Sequence, residues 1–475
     1  MIPATRIRAL AVAIAGTFVI GVLSVATGVA DEDGPGHPDE WDPRVADLAA
    51  FVEDERDLEF DHPVFVDFLT PSEYSAATTT TDEGIDEEER EELDLTVAEM
   101  RAVGLVSGPV DLFAAINDVS DGGTLAFYTP DDQRIRVRGT EVSVGLEVTL
   151  VHELTHALQD QHFDLSDILD SDVDSSESTA RRGLAEGDAM RIEDAYVASE
   201  LSDEEQAAYE QEYAGELDES REQIGTVPPS IQALFAIPYA LGAPFVSTLL
   251  NDDGNDAVDD AFRNPPTTEE HLFDPASYLG GEGAIEVDLS LDDVDVLDDG
   301  PFGSPSWYLM LAERIDPRVA LHAVHGWNGD QYAAYEKDGR TCIRIVFAGD
   351  SERDETEMRD ALTEWQLALP GELATPIEVG GHPGVDACDP GPDVDMAVRG
   401  RSLEALALPN LWGYLIAGNA PDLGPDGSRC LAGHVIDAFT YEQLTSADVE
   451  AGDDLLAEVQ QRAVEAYLEC ASGDA

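Results

Sequence analysis

The stretch LVHELTHALQDQHFDL, Leu150 to Leu165, holds three histidines: His152 and His156 frame an H-E-x-x-H pattern, and His162 stands ten positions after the first. Residues four apart on a helix differ by only ~40° around the axis, so His152 and His156 aim their imidazoles at one point. Such a pair supplies two ligands of a zinc site. Glu153 lies ~100° round from His152, where a carboxylate reaches a metal-bound water without taking the metal itself. Zinc lowers the pKa of that water to ~7, and Glu153 is then the natural general base. The chemistry is hydrolysis by an activated water.

A catalytic zinc takes three protein ligands, so a third must come from elsewhere. His162 has the spacing of the third histidine of metzincins. Those enzymes turn the chain at a glycine seven positions after the first histidine, and here Gln159 stands there. Gln tolerates positive φ poorly, so the helix is expected to continue and to carry His162 to ~280° from His152, away from the metal. His162 is therefore read as a packing or surface histidine. The other source is a glutamate on a second helix. GLAEGDA offers Glu186 among the small residues Ala185, Gly187 and Ala189, with Glu177 and Glu193 as rivals in the same region. The residues alone barely favour Glu186. Asp160 is either an acceptor behind the ligands or part of a solvated face. An oxyanion donor could come from His271, His322, His325, Tyr308 or Tyr332, which the sequence does not rank.

Several elements must position these groups. GTLAFYTPDDQRIRVRG reads as two short strands about a Pro-Asp-Asp turn, placing a hairpin directly before the metal helix. That helix is expected to begin near Thr140, with Glu141 close behind and Val144, Val148, Val151, Leu154 and Leu158 on its apolar face. TARRGLAEGDAMRIEDAYVASEL reads as the second helix. Upstream, Val45–Val52 is amphipathic, HPVFVDFLT alternates as a strand does, and the acid run TTTTDEGIDEEEREELDL reads as a solvated loop entering a helix. SIQALFAIPYALGAPFVSTLL is apolar, but Gln232, Pro238, Gly242 and Pro244 interrupt it, so buried helices are expected there and not a membrane span. Two helical segments meet at Asp316-Pro317. A hairpin then turns at Lys337-Asp338-Gly339, followed by helices near 355–367 and 447–470.

The chain has 475 residues, 25 Lys and Arg against 101 Asp and Glu, and a formal net charge of −76. Lys337 is its single lysine. The acid is spread along the whole length, which indicates a surface adapted to concentrated salt and disfavours nucleic acid as a partner. With 43% hydrophobic residues the chain can still build cores. Residues 1–30 carry Arg6 and Arg8 and then an apolar run, read as a signal peptide or an N-terminal membrane anchor. Cys342, Cys388, Cys430 and Cys470 are even in number and lack CxxC spacing, so two disulfides outside the cytoplasm are expected, with three pairings open. The expected organisation is an acidic segment at 31–100, a catalytic unit at 101–330 and a C-terminal α+β region at 331–475.

The motif stretch followed by AEGDA resembles the signature of a broad group of exported prokaryotic proteins described as gluzincin-like zinc metallopeptidases. The likeness extends to IPYALGAPFV, NPPTTEEHLFDPASYL and GWNGDQYAAY, roughly Leu125 to Tyr335, and the haloarchaeal surface-protein branch of the group fits the acid content. The resemblance implies Zn2+ held by His152, His156 and Glu186, with Glu153 as the base. It also implies an α+β, mostly helical zincin-like unit with a small mixed sheet. The expected function is a secreted or surface-anchored zinc metallopeptidase acting on peptide or protein substrates. The rival is a zinc-stabilised, non-catalytic cell-surface or envelope protein.

Overall fold

The computed structural model describes residues 36–79, 85–122, 125–169, 175–291, 294–445 and 453–471. The expected signal or anchor at 1–30 lies outside the described residues. Helices of two turns or more are, in chain order, α1 (Ala46–Arg56), α2 (Pro71–Thr78), α3 (Glu87–Ala102), α4 (Leu112–Gly122), α5 (Val144–Phe163), α6 (Ser175–Ser199), α7 (Asp203–Ile224), α8 (Pro229–Arg263), α9 (Ser304–Ala312), α10 (Pro317–Val324), α11 (Glu352–Ala368), α12 (Ala407–Ala438) and α13 (Asp453–Cys470). The strands are β1 (Phe65–Leu69), β2 (Ala126–Thr129), β3 (Arg134–Arg138), β4 (Val296–Gly300), β5 (Trp327–Lys337), β6 (Arg340–Gly349), β7 (Ala374–Val379) and β8 (His382–Cys388). The fold is α+β and mostly helical.

Two sheets serve two parts of the molecule. The small one has order β1-β3-β2, with β1 parallel and β2 antiparallel to β3, so it is mixed as expected. The second is antiparallel, in the order β4-β5-β6-β8-β7. Its central hairpin turns through Asp338 and Gly339, at φ 55 and 75, which a two-residue loop between twisted strands requires. Lys337 is exposed at its tip. Cys342 and Cys388 face each other on β6 and β8 and form one disulfide, while Cys430 and Cys470 join α12 to α13 in the other. These cross-links mark an oxidising, extracellular environment.

The apolar face of α5 was expected from its spacing. Val148, Val151, Leu154 and Leu158 are buried in one core with Leu48 and Val52 of α1, Ile135 and Val137 of β3, and Ile192 of α6. The start of α5 differs from expectation. Ser143, not Thr140, is its N-cap, accepting from the Leu146 amide at 3.3 Å. Gly139 at φ 99 and the bend after it keep Thr140 and Glu141 outside the helix.

The long apolar stretch also differs. It is one helix, α8, continuous through Gln232, Pro238, Gly242 and Pro244, and broken only at Asp253 and Gly254. By length and composition α8 could cross a membrane, but 72% of its most apolar window is buried inside the fold. Pro244 has no N–H to give the Ala240 carbonyl one turn earlier. The side-chain amide of Asn410 on α12 donates to that carbonyl at 2.5 Å instead, which removes much of the cost of a mid-helix proline. Gly242 is where α8 meets α6. A Cβ there would overlap the Gly183 carbonyl, and one on Gly187 would overlap the Gly242 carbonyl.

Candidate metal centre

Two helices and one strand build the site. His152 and His156 lie one turn apart on α5, and Glu186 and Glu193 lie two turns apart on one face of α6. His152 Nε2 is 3.0 Å from His156 Nε2, and Glu186 Oε2 is 3.2 Å and 3.3 Å from the two nitrogens. Three corners of a tetrahedron around zinc, at bonds of ~2.0–2.1 Å, stand ~3.3 Å apart. The observed triangle has that size. Three such atoms, not four, make up this group among the described residues.

The outer nitrogens fix the protons. His156 Nδ1 faces Gln159 Oε1 at 3.0 Å. The amide of Gln159 is oriented by its own donations to the Ala185 carbonyl at 3.1 Å and to Asp188 Oδ2 at 2.9 Å, so the group facing His156 is an acceptor. His152 Nδ1 faces Glu193 Oε2 at 3.2 Å, also an acceptor. Both rings therefore carry a proton on Nδ1, and a neutral ring then turns its Nε2 lone pair toward the other and toward Glu186. Two lone pairs and a carboxylate oxygen converging on one buried point repel one another unless a cation lies between them, so the donor set fits Zn2+. Without a cation, protons must supply the charge. Burial disfavours a charged His152, but Glu186 and Glu193 outweigh it and push the ring up to about 10. Burial likewise opposes ionisation of Glu186, and His156 and His152 outweigh that and bring it down to about 2.

Glu153 sits beside this triangle with no exposed surface. The Tyr128 amide, on the edge strand β2, donates to its Oε2 at 2.7 Å, while Oε1 is buried without a partner. Burial pushes its carboxyl up to about 7, with the two histidines pulling the other way. One oxygen is thus anchored and the other is available for a proton near neutral pH. Tyr128 is also tied through its hydroxyl to Asp160 at 2.7 Å, and Asp160 accepts the Leu165 amide at 2.9 Å. Asp160 is buried and supports the strand that holds Glu153, with no hydrogen bond to either ligand histidine.

The other candidates fall elsewhere. His162 is exposed on the uninterrupted last turn of α5 and meets the Glu59 carbonyl at 2.8 Å. Glu177 pairs with Arg181. His271 meets the Glu282 carbonyl, His322 meets Asp437, His325 lies near Asp274, Tyr308 donates to the Ala405 carbonyl and Tyr332 to Asp298. None of these contacts touches the metal triangle.

The sequence reading missed Tyr239 of α8, whose hydroxyl donates to Glu186 Oε1 at 3.0 Å, and the roles of Gln159 and Glu193. It also missed Asp188, buried between Arg56 Nε and Arg191 Nε, each 2.9 Å away. Asp188 lies ~200° round the helix from Glu186 and supports the site indirectly: it holds the Gln159 amide that faces His156, while Arg56 and Arg191 balance its charge.

A cleft of about 770 Å3 opens near the C-terminal end of α5, lined by His62, Gln133, Asp160, His162, Phe262 and Arg263 among others, but by none of the three ligands or Glu153. No protein-family model, no curated protein and no solved structure matches the chain.

Proposed function

We propose that the chain is an exported zinc metallopeptidase that hydrolyses peptide bonds. The observation that carries this reading is the triangle of His152, His156 and Glu186 with Glu153 beside it, one carboxylate oxygen anchored and the other unpartnered. Zinc held by the three ligands would polarise a carbonyl and acidify a water. The residues of the chain do the rest. Glu153 takes a proton on Oε1 and returns it to the leaving amine, and the Tyr128 amide keeps the carboxylate from turning away. Glu193 and Gln159 hold the ligand rings in one tautomer, and the Tyr239 hydroxyl fixes the second oxygen of Glu186. Export agrees with the two disulfides and with the apolar run at residues 1–30, which also offers membrane attachment.

A second reading, a zinc-stabilised surface protein without turnover, is favoured by one observation. His152 and Glu153 have no exposed surface, and the neighbouring cleft does not include the ligands. One experiment separates the two. Full-length protein in molar salt is assayed for zinc and for hydrolysis of a mixed peptide library, alongside Glu153→Gln. The peptidase reading expects one zinc per chain in both forms and hydrolysis at least ~100-fold slower in the variant. Zinc without hydrolysis in wild type selects the surface protein. Full activity in Glu153→Gln, or no zinc in either form, overturns the proposal.

A further inference from the structure

The stretch TTEEHLFDPASYL has no part in the metal centre, yet it carries a buried carboxylate that nothing pairs. Glu270, in a one-turn helix Glu270–Phe273, is 4% exposed, and no hydrogen bond or ion pair reaches its side chain. One of its oxygens lies within 4.8 Å of an oxygen of Glu282 and of one of Asp350, which are themselves that close to each other. Burial is graded across the three: Glu270 forms the floor, Glu282 is half-buried, and Asp350, just after β6, is exposed at the mouth.

The local charge does not balance. Arg429 of α12 donates to both oxygens of Glu282, at 3.0 Å and 2.8 Å, and to Asp274 Oδ2 at 2.5 Å. One guanidinium thus serves two carboxylates, and Glu270 and Asp350 are left with none. His325, 3.9 Å from Asp274, does not make up the deficit, because burial holds its ring below its ordinary pKa. Burial and the neighbouring acids push Glu270 up to about 9 and Asp350 up to about 6. An ionised carboxylate at the floor of such a pocket needs a counter-charge, and the one guanidinium nearby, Arg429, makes its hydrogen bonds to Glu282 and Asp274 and none to Glu270.

We propose that Glu270, Glu282 and Asp350 form a binding site for a hard divalent cation of the size of calcium. Oxygens bound across such an ion, at ~2.4 Å each, stand up to ~4.8 Å apart, and a shell of six to eight oxygens leaves room for water at the open side. The three carboxylates come from separate segments: a one-turn helix, the residues after the short helix Pro275–Gly280, and the end of β6. A cation there ties the antiparallel sheet to the helical layer, and Arg429 extends the tie to α12. The site is independent of the zinc triangle and shares no residue with it.

The test uses full-length protein stripped with a chelator and kept in molar KCl, which screens loose binding to the acidic surface. Calcium chloride is titrated by calorimetry and its effect on the melting midpoint is recorded. Wild type is expected to show one saturable site and a midpoint raised by at least about 2 °C. Glu270→Gln keeps the shape and removes a carboxyl that must take up a proton to fold without the cation, so its cation-free midpoint rises and both calcium responses vanish. Asp350→Asn, at the exposed mouth where folding is not at stake, loses the saturable site as well. Zinc content stays unchanged in both variants. No saturable calcium in wild type, or the same binding in both variants as in wild type, overturns the proposal.

Discussion

His152 is oriented by a carboxylate and His156 by an amide, so the two proposed zinc ligands differ in how strongly their rings are held. Glu193 does for His152 what a charged acceptor does, raising the ring's basicity as well as fixing it. Glu193→Ala should therefore weaken zinc binding by roughly 10–100-fold, measured by chelator competition. His162→Ala should leave the affinity at the wild-type value; a loss in His162→Ala and none in Glu193→Ala would reverse the assignment. The histidine pair and Glu153 were legible from four-residue spacing, because a helix has only one way to present them. Glu193 was seen only as a rival ligand, and Gln159 only as the wrong residue for a turn. What each does depends on the rotation of α6 against α5, and no spacing within one helix encodes that. Tyr239, from a third helix, left no local signal.

Between elements, the approach of α6 and α8 sets where Tyr239 meets Glu186. Gly183, Gly187 and Gly242 let the backbones touch, and a methyl at Gly242 has backbone on the other side of it, with nothing flexible to move. Gly242→Ala should cost about 1–3 kcal/mol of stability, read from chemical denaturation, and should lower zinc occupancy as α8 draws Tyr239 away. Unchanged stability and zinc would mean that the two helices separate freely. The small residues around Glu186 let α6 pack closely on both sides: Gly187 lies against Gly242 of α8, and the Ala185 carbonyl accepts from Gln159 of α5. Pro244 of α8 reads as an interruption because the sequence shows a missing donor and not the Asn410 amide that replaces it from 166 residues beyond. Hairpins and the Asp316-Pro317 junction were legible because their signals are local.

At the scale of the molecule, 101 acidic residues meet 25 basic ones, and several carboxyls are buried as well. Burial pushes Glu99 up to about 8 and Glu216 up to about 7, each with acidic neighbours adding to it. A raised carboxyl pKa means the folded chain holds protons that the unfolded chain has released. The stability from that difference is complete below the unfolded value of ~4.3 and is lost as pH climbs through 7 to 8. Surface repulsion has the same sign. Melts of metal-stripped protein on a grid of pH and salt should show the midpoint falling from pH 5.5 to 9 and rising from dilute buffer to molar KCl. A midpoint flat along the salt axis would remove the case for a salt-adapted surface. The one lysine has a different use. Lys337 is the sole side-chain amine and stands exposed beside a two-residue turn, so once the α-amine is blocked, an amine-reactive dye or coated bead would couple at that one turn, and every molecule would be attached by the same corner.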